Sequence, residues 1–295
     1  MFFSPSPTIR GVSAELSTSL SPRQRDLLEC WLPGALVQAD LSWGLVGTTV
    51  LDVLAADGTR CIVKAGGPKD HHLAREIHAH LHWLRPWTAT GHAPQLLHQD
   101  RDAKLLVTRY LPGVLVQDHP AEGAPDTYTQ AGALLAAFHG QHRSVDPGFE
   151  DAQNRRTLAW LDAEHRIPGA EAAQVRRLIT SWPTPPATLV PTHGDWQPRN
   201  WLIDEGTVRV IDFGRAALRP AMTDLARLAA RQFRGRGDLE EAFLAGYGSD
   251  PREVDAWRRV QLREAVGTAA WAYQVGAEQF EAQGMRMLAE ALAAF

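Results

Sequence analysis

The chain has few of the residues that mark disulfide-stabilised, membrane or nucleic-acid-binding proteins. It contains only two cysteines, Cys30 and Cys61, at no spacing typical of metal ligands, so we expect a reducing cytoplasm and interpret Cys61 as a core residue. No apolar run approaches the roughly 18 residues of a membrane span, which argues against a membrane partner. The formal net charge of −4 gives no reason to expect nucleic acid.

Length and composition are those of a globular protein with room for two lobes. The 295 residues are 44% hydrophobic and 22% charged, an ordinary balance for packed domains. Residues 1–20 are rich in Ser and Pro, lack the basic start and apolar core of a signal peptide, and predict a flexible lead-in. We predict an N-terminal lobe over 21–112 and a C-terminal lobe over 113–295, because Leu111-Pro112-Gly113 breaks the pattern.

Periodicity predicts a β-rich first third and a mostly helical remainder, which is an α+β fold class. Ser21-Pro22 predicts a capped helix with Leu27, Leu28 and Trp31 on one stripe. The expected strands lie before residue 41 and over 49–54, 59–65, 94–99 and 104–110, and the expected helices over 71–84, 127–140, 170–181, 223–233, 238–247 and 252–295.

The most informative stretch runs from Thr192 to Gly214. It reads Thr-His-Gly-Asp-Trp-Gln-Pro-Arg-Asn and ends, after an apolar strand, in Ile-Asp-Phe-Gly. Asp195 can accept the proton of an attacking hydroxyl, while Asn200 and Asp212 can hold Mg²⁺ against phosphates. A polar loop would explain any one of the three, but not all three at this spacing. The pattern therefore predicts ATP-dependent, metal-assisted phosphoryl transfer.

A lysine at the end of an apolar strand supplies the cation that such chemistry needs. Lys64 lies in the strand over 59–65, a context in which a lysine needs an anion. Phosphoryl transfer passes through a loose transition state, so the protein mainly positions groups and offsets charge. We therefore expect the Lys64 ammonium to contact phosphate.

On these residues the chain resembles the aminoglycoside phosphotransferase and choline-kinase-like family of small-molecule kinases. The matching features are the Lys64 strand, the Glu76 helix, residues 105–113, the His-Gly-Asp loop with the Ile-Asp strand end, and the Asp-Leu-Ala helix start at Asp224. They span residues 42 to about 228. The resemblance implies a two-lobed protein-kinase-like fold, with a nucleotide-binding N-lobe and a helical C-lobe that carries the catalytic loop and the acceptor site.

The resemblance also implies roles in a site for ATP and Mg²⁺. Lys64 would contact the α- and β-phosphates and Glu76 would orient it, the alternative for Glu76 being a solvated helix face. Thr108 to Tyr110 would form a hinge whose backbone pairs with adenine, and the alternative there is a plain strand edge.

Two departures from the family pattern stand out. The loop from Ser42 to Thr48 has only Gly44 and Gly47, so it predicts either a backbone cradle for phosphate or a plain hairpin turn. Many relatives follow the metal-binding Asp with Trp-Glu, whereas Phe-Gly-Arg follows Asp212 here. The second departure bears on the subgroup and not on the chemistry.

The acceptor is predicted to be a small polar molecule with a hydroxyl group. Acidic and aromatic side chains of the last helices would suit a cation such as an aminoglycoside, an amino sugar or a basic antibiotic, the alternative being solvated helix faces. The candidate acceptor residues are Trp196, Arg199, Glu264, Trp271 and Glu278, with Tyr273 and Glu281 beside them. For Trp196 the alternative is core packing, and Arg199 could equally be structural.

Other features receive structural interpretations. Asp224 is expected to accept backbone N–H groups at a helix start. His78 and His82 lie one turn apart, but no carboxylate or cysteine completes a zinc site, so packed or solvated histidines are expected.

Three rival functions remain open on the sequence. A protein kinase is disfavoured because only eleven residues separate Asp212 from Asp224 and no Ala-Pro-Glu follows. A pseudokinase would lack one of the catalytic residues, all of which are present. A kinase of a choline-like amine or a sugar is the nearest alternative.

Overall fold

A computed structural model describes residues 20–42 and 47–295. The chain divides into two compact units. The described residues up to Gly123 form the first together with Gln197–Ala217, and Ala124–Trp196 with Leu218–Phe295 form the second. We call them the sheet unit and the helical unit. The chain thus crosses between the units three times. The predicted single boundary at residue 112 does not include the return of residues 197–217 to the first unit. The predicted lead-in over 1–20 lies outside the described residues except for its last position.

The sheet unit is built on a five-stranded antiparallel sheet with the order β1-β2-β3-β5-β4. Its strands are β1 (Leu36–Asp40), β2 (Thr48–Leu54), β3 (Arg60–Gly66), β4 (Leu96–Asp100) and β5 (Leu105–Arg109), and its helices are α1 (Pro22–Trp31), α2 (Leu73–His82) and α3 (Arg85–Thr88). The Asp57-Gly58 turn joins β2 to β3, with Gly58 at φ 83°. The strands predicted on this sheet are present.

Helix α1 is fixed to one end of this sheet by its cap and its apolar stripe. Ser21 and Gln24 form a capping box, and the buried Gln24 amide donates to the carbonyl groups of Gly66 at 3.1 Å and Ala103 at 2.8 Å. Leu27, Leu28 and Trp31 pack against the buried residues of the sheet, among them Cys61, which is fully buried as predicted.

A second, three-stranded sheet of the sheet unit has the order β10-β9-β6. Its strands are β6 (Val114–Leu115), β9 (Trp201–Asp204) and β10 (Thr207–Val210). Glu205 and Gly206 join β9 to β10 with φ values of 47° and 79°, the double left-handed turn that suits a two-residue hairpin. This hairpin carries Asn200 at its entrance and Asp212 just after its exit.

The helical unit contains most of the remaining helices and one small sheet. Its helices are α4 (Pro125–His139), α5 (Phe149–Asp162), α6 (Gly169–Ser181), α7 (Ala226–Ala230), α8 (Gly237–Tyr247), α9 (Val254–Gln274) and α10 (Glu278–Leu292), and its sheet joins β11 (Ala217–Arg219), β8 (Ala187–Thr192) and β7 (Ser144–Asp146) in that order.

Glycines let pairs of helices in this unit approach closely. A Cβ at Gly132 of α4 would overlap the carbonyl of Phe243 of α8, and a Cβ at Gly246 of α8 would overlap the carbonyl of Thr129. A Cβ at Gly284 of α10 would lie 2.5 Å from the backbone nitrogen of Ala269 in α9. The C-terminal turns of α8 therefore pack directly against the first half of α4.

Three helical predictions need correction. The range 252–295 is two helices, because Gly276 adopts a left-handed φ of 70° after α9. The helix expected over 223–233 is a 3₁₀ turn, Ala221–Leu225, followed by the short α7. Helix α5 was missed, because its buried face includes the polar Glu150, Asn154 and Thr157. In the described part of the chain no helix combines the length and hydrophobicity that a bilayer crossing requires.

Candidate active site

The sheet unit brings Lys64, Glu76 and Asp212 together. Lys64 on β3 pairs with Val50 and Leu106 of its neighbouring strands, and Glu76 lies in the first turn of α2. The Lys64 Nζ is 2.7 Å from Glu76 Oε1 and 3.7 Å from Asp212 Oδ1. The Glu76 side chain is 5% exposed, so it is not the solvated helix face that the sequence left open.

Electrostatics hold the Lys64 side chain of this cluster in its charged form. Burial opposes the charge of Lys64, but the carboxylates of Glu76 and Asp212 outweigh burial and raise the pKa of the ammonium. Burial, together with the nearby Asp212 charge, raises the pKa of Glu76, while the Lys64 ammonium opposes that rise. One cation is thus matched to two carboxylates, and the cluster carries a surplus of negative charge facing outward through Asp212, whose side chain is 52% exposed.

Asp212 has a strained backbone conformation and lies two residues after the end of β10. Its φ is 65°, in the left-handed region that non-glycine residues rarely adopt. The Ile211 N–H donates to the Asn200 carbonyl at 3.0 Å, which places the buried Asn200 beside the strand end that carries Asp212. Gly214 N donates to Asp212 Oδ1 at 3.4 Å.

The Phe-Gly-Arg segment after Asp212 is packed within the sheet unit. Phe213 is fully buried, with ring centroids 5.9 Å from Trp87 and 5.4 Å from His80. His72 Nδ1 lies 3.0 Å from the Gly214 carbonyl, and a Cβ at Gly214 would come within 3.1 Å of the His72 Cβ. A larger residue at position 214 would therefore push against α2, which explains the glycine.

The donor set of this cluster suits a hard divalent cation. A carboxylate and an amide are the oxygen ligands that Mg²⁺ accepts, and it commonly retains waters beside one or two carboxylates. Asp212 presents its carboxylate outward, and Asn200 lies in the adjacent turn Pro198–Asn200. Arg199 of that turn is half-buried; burial lowers the pKa of its guanidinium and Asp212 opposes that change.

The remaining residues predicted to hold nucleotide are engaged in the sheet. The Ser42 hydroxyl accepts from Val50 N at 2.9 Å, and the Gly47 carbonyl accepts from Gly67 N at 2.9 Å. These are the contacts of strand ends, so the geometry of a phosphate cradle is not evident from them. Gly44 lies outside the described residues.

The predicted hinge continues β5. Thr108 is buried and pairs with Ile62, and Tyr110 N donates to the Arg60 carbonyl at 2.9 Å. Arg109 N donates to the Gln95 carbonyl at 2.8 Å. The predicted adenine contact would therefore not use the N–H groups of residues 109 and 110.

In the helical unit, the loop after β8 presents Asp195. Gly194 adopts a φ of 78°, which turns the chain sharply one residue before Asp195. The N–H groups of His193 and Gly194 donate to the two carboxylate oxygens of Asp224 at 2.8 and 2.6 Å. The Asp224 carboxylate accepts backbone N–H groups, as expected. These groups belong to the loop before Asp195 and not to the helix start at Asp224.

Arginine holds the carboxylate of Asp195. Asp195 is 3% exposed and its Oδ1 accepts a hydrogen bond from Arg227 Nη1 of α7. The Nε of the same guanidinium donates to Glu264 of α9 at 2.9 Å. Sequence analysis missed Arg227 because its partners lie 32 and 37 residues away and only tertiary packing joins them.

A series of buried, hydrogen-bonded side chains continues from Asp224. His139 at the end of α4 lies 3.1 Å from Asp224 Oδ2 through Nε2 and 2.7 Å from the Tyr247 hydroxyl through Nδ1. Burial would raise the pKa of Asp224, but its bond to His139 and the backbone N–H groups outweigh burial and lower it. Burial, helped by the Asp224 charge, raises the pKa of Tyr247 to about 12. No sequence signal indicated this series of side chains.

The predicted acceptor residues differ in their exposure and in their partners. Trp196 is fully buried, edge-on to His193, so it packs in the core and is not an exposed stacking surface, which corrects the prediction. Glu264 is paired with Arg227, and Glu281 lies 3.4 Å from Arg166. The other predicted aromatics and acid lie on α9 and α10: Trp271, half-buried against Phe280; Tyr273, under Arg166; and Glu278, exposed.

Of the histidines of α2, His78 and His82 are exposed with their rings 4.4 Å apart, whereas His80 packs against Phe213. His80 stands edge-on to Phe213, and neither ring nitrogen has a hydrogen-bond partner among the described residues. Burial and the Lys64 charge lower the pKa of His80 to about 3. Within residues 20–42 and 47–295 no group of three or more His, Cys, Asp or Glu side chains is arranged for a metal ion.

Comparisons with known proteins bear on the fold and the family of the chain. A model of the phosphotransferase enzyme family (APH) matches residues 42–262. A thermostable mutant of the aminoglycoside phosphotransferase APH(4)-Ia, in a ternary complex with ADP and hygromycin B, is 15% identical with a TM-score of 0.66, covering 93% of this chain and 99% of that one. Choline kinase LicA from Streptococcus pneumoniae is 15% identical, with a TM-score of 0.63 and coverage of 92% and 98%.

A third structure has another named substrate class. Macrolide 2'-phosphotransferase MphH from Brachybacterium faecium is 19% identical, with a TM-score of 0.58 and coverage of 89% and 96%. No curated protein sequence matches the chain significantly. At these identities the solved structures establish the fold alone, and the predicted α+β, kinase-like fold class is confirmed.

Proposed function

The chain belongs to the phosphotransferase enzyme family and is a small-molecule kinase of that family, as the sequence predicted, and from this premise we propose that it transfers phosphate from ATP, with Mg²⁺, to a hydroxyl group of a small polar molecule. The observation that carries the proposal is the approach of Lys64 to both Glu76 and Asp212, at 2.7 and 3.7 Å. Three residues distant in sequence meet there with the charges that a metal–triphosphate requires.

In this proposal Lys64 contacts the phosphates and Glu76 fixes its position. Glu76 is buried and bonded to the ammonium, so Lys64 is held in place before nucleotide arrives. Asp212 and Asn200 would hold Mg²⁺, since they offer oxygen ligands at adjoining positions of one hairpin. Bound Mg²⁺ would neutralise charge that develops on the phosphate oxygens.

Asp195 is the base in this proposal. Its carboxylate takes the proton of the acceptor hydroxyl, so that the hydroxyl oxygen can attack phosphorus. Arg227 binds one carboxylate oxygen and Asp224 holds the two preceding N–H groups, so the position of Asp195 is defined from both sides. A base held in this way loses little freedom when the acceptor binds.

The acceptor is a small polar alcohol, for which aminoglycosides, amino sugars and basic antibiotics are the first candidates. The argument for a cationic acceptor is weaker than the sequence suggested, because Glu264 and Glu281 each have an arginine partner. Choline-like amines and sugars are retained as the alternative. Glu278 and Trp271 remain candidate contacts on α10 and α9.

Release of ADP by the purified chain tests the proposal. The chain is incubated with ATP, Mg²⁺ and, in separate reactions, aminoglycosides, amino sugars, macrolides, choline, neutral sugars and casein. We expect ADP release that depends on one small-molecule class and is lost in Asp195→Asn. Release with casein alone would favour a protein kinase. Nucleotide binding without release in any reaction would favour a pseudokinase.

A further inference from the structure

The helical unit contains a pocket that the proposed reaction does not use. It has a volume of about 720 Å³ and lies among the C-terminal ends of α4 and α8, strand β8 and the start of α9. This volume falls within the roughly 300–1,000 Å³ of small-molecule sites. Asp195, Arg227 and Glu264 are not among its lining residues.

Part of the pocket wall is apolar. It includes four prolines, Pro185, Pro186, Pro220 and Pro251, together with Met222 and Val260. Because proline fixes its own φ, the backbone at these four positions has few alternative conformations. These side chains suit a ring or a short apolar chain.

One side of the pocket offers positive charge. Arg259 is 8% exposed, and its Nε has no hydrogen-bond partner in the described part of the chain, although Glu150 Oε2 lies 3.5 Å away. Glu150 accepts from Arg263 at 2.9 Å, and Glu253 accepts from two N–H groups at the start of α9. Both lining carboxylates are therefore engaged, while the exposed Arg143 adds a second cation.

The pocket is connected to the loop that carries Asp195. Tyr247 and His139 line it, and the Tyr247 hydroxyl lies 2.7 Å from His139 Nδ1. His139 Nε2 lies 3.1 Å from Asp224, which holds the N–H groups of His193 and Gly194 at 2.8 and 2.6 Å. A ligand that fixes the Tyr247 hydroxyl would therefore restrain this loop through two buried side chains.

We propose that this pocket binds a small organic anion with an apolar body and that its occupancy stiffens the loop before Asp195. The guanidinium groups of Arg143 and Arg259 bind the anionic group, and the proline walls bind the apolar body. The site is a second ligand site, separate from the proposed nucleotide and acceptor residues.

Binding of 8-anilinonaphthalene-1-sulfonate, an aromatic sulfonate that fluoresces in apolar sites, tests the pocket. We expect one saturable site in the full chain, loss of binding in Ala256→Trp, which fills the pocket, and weakening by about tenfold in Arg143→Gln, the equivalent of about one charge-assisted hydrogen bond. Ala289→Trp, an exposed position on α10 outside the pocket, is the matched control and should bind as the wild type does. Equal binding by Ala256→Trp, or no saturable binding to the wild type, would overturn the site.

Hydrogen exchange of the peptide that contains His193 and Gly194 tests the connection. Saturating probe should slow its exchange by roughly threefold or more, because local opening of the loop becomes harder. Tyr247→Phe should bind the probe but lose this slowing, since the ring remains and the hydroxyl is removed. Unchanged exchange in the wild type, or persistent slowing in Tyr247→Phe, would overturn the connection. Neither readout uses phosphoryl transfer, so failure of the proposed function leaves both results interpretable.

Discussion

The two units treat a functional carboxylate in opposite ways. In the sheet unit Glu76 is the buried partner of Lys64, and Asp212, with a side chain 52% exposed, is left facing outward. In the helical unit Asp195 is the buried acid at 3% exposure, and its partner Arg227 is the more exposed, at 23%. An outward carboxylate can bind a cation, whereas a buried carboxylate held by a fixed partner is positioned to receive a proton from a neutral hydroxyl. In the proposed function the same residue type therefore takes two roles because of its surroundings.

Asp195→Asn gives the largest expected effect and separates the two roles. Because a general base contributes about 10²- to 10⁴-fold, turnover should fall by that factor, while ATP affinity should stay close to that of the wild type. Steady-state ADP release and nucleotide titration measure the two quantities. Asp255→Asn, an exposed aspartate in the first turn of α9, is the control. Retention of wild-type turnover by Asp195→Asn would mean that the base lies elsewhere.

Asp212→Ala should produce the converse pattern. Loss of a metal-binding carboxylate should weaken Mg²⁺-dependent nucleotide binding by about 100-fold, which corresponds to roughly 2.7 kcal/mol. Calorimetric titration with and without Mg²⁺ measures it, and Asp102→Ala, an exposed aspartate of the β4–β5 turn, serves as the control. Titration curves that match the wild type in both conditions would contradict the metal role of Asp212.

The elements that carry the sheet-unit cluster could be predicted because local patterns determine them. Lys64 closes an apolar strand, Glu76 follows twelve residues later on a helix, and Asp212 ends a strand that begins with a hairpin turn. Alternation and turn chemistry place each of these residues on its element. The resemblance to a family supplied their roles.

The helical-unit contacts could not be predicted, because partners far apart in sequence form them. His139 is 85 residues from Asp224 and 108 from Tyr247, and only the packing of α4 against α8 brings the His139 ring within 2.7 Å of the Tyr247 hydroxyl. Trp196 was assigned to the acceptor although it is buried, since a tryptophan next to a catalytic residue has no sequence signal for its exposure.

Lys64→Met should test how strongly the sheet-unit cluster depends on charge. Removing the ammonium leaves the buried Glu76 carboxylate without its cation, and we expect a loss of about 2–3 kcal/mol in the free energy of unfolding. The double variant Lys64→Met/Glu76→Gln should recover part of that loss. Urea denaturation of the wild type, Lys64→Met, Glu76→Gln and the double variant measures the coupling energy between the two side chains. Equal stability of Lys64→Met and the wild type would show that the ion pair contributes nothing to folding.

Arg227→Gln and Glu264→Gln compare a buried contact with an exposed one in the helical unit. Arg227→Gln removes the cation from Asp195 and should lower the free energy of unfolding by about 1–3 kcal/mol. Glu264→Gln removes a carboxylate that is 30% exposed and should change it by less than about 1 kcal/mol. Urea denaturation gives both values. Equal losses in the two variants would mean that the Glu264 contact accounts for the contribution of Arg227.

The effect of His80 appears only as a pH dependence. The pKa of His80 is lowered to about 3 in the folded chain, against an ordinary value near 6.5 in the unfolded chain. Between these values the unfolded chain binds a proton that the folded chain does not, so folding stability should fall as pH falls, by up to about 1.4 kcal/mol per pH unit. His80→Leu should remove this component, and the exposed His71→Leu should not. The difference in unfolding free energy between wild type and variant, measured from pH 7.5 to 4.5, should therefore change with pH for His80→Leu. If the unfolding free energies of the wild type and His80→Leu change in parallel with pH, the His80 ring is in contact with water.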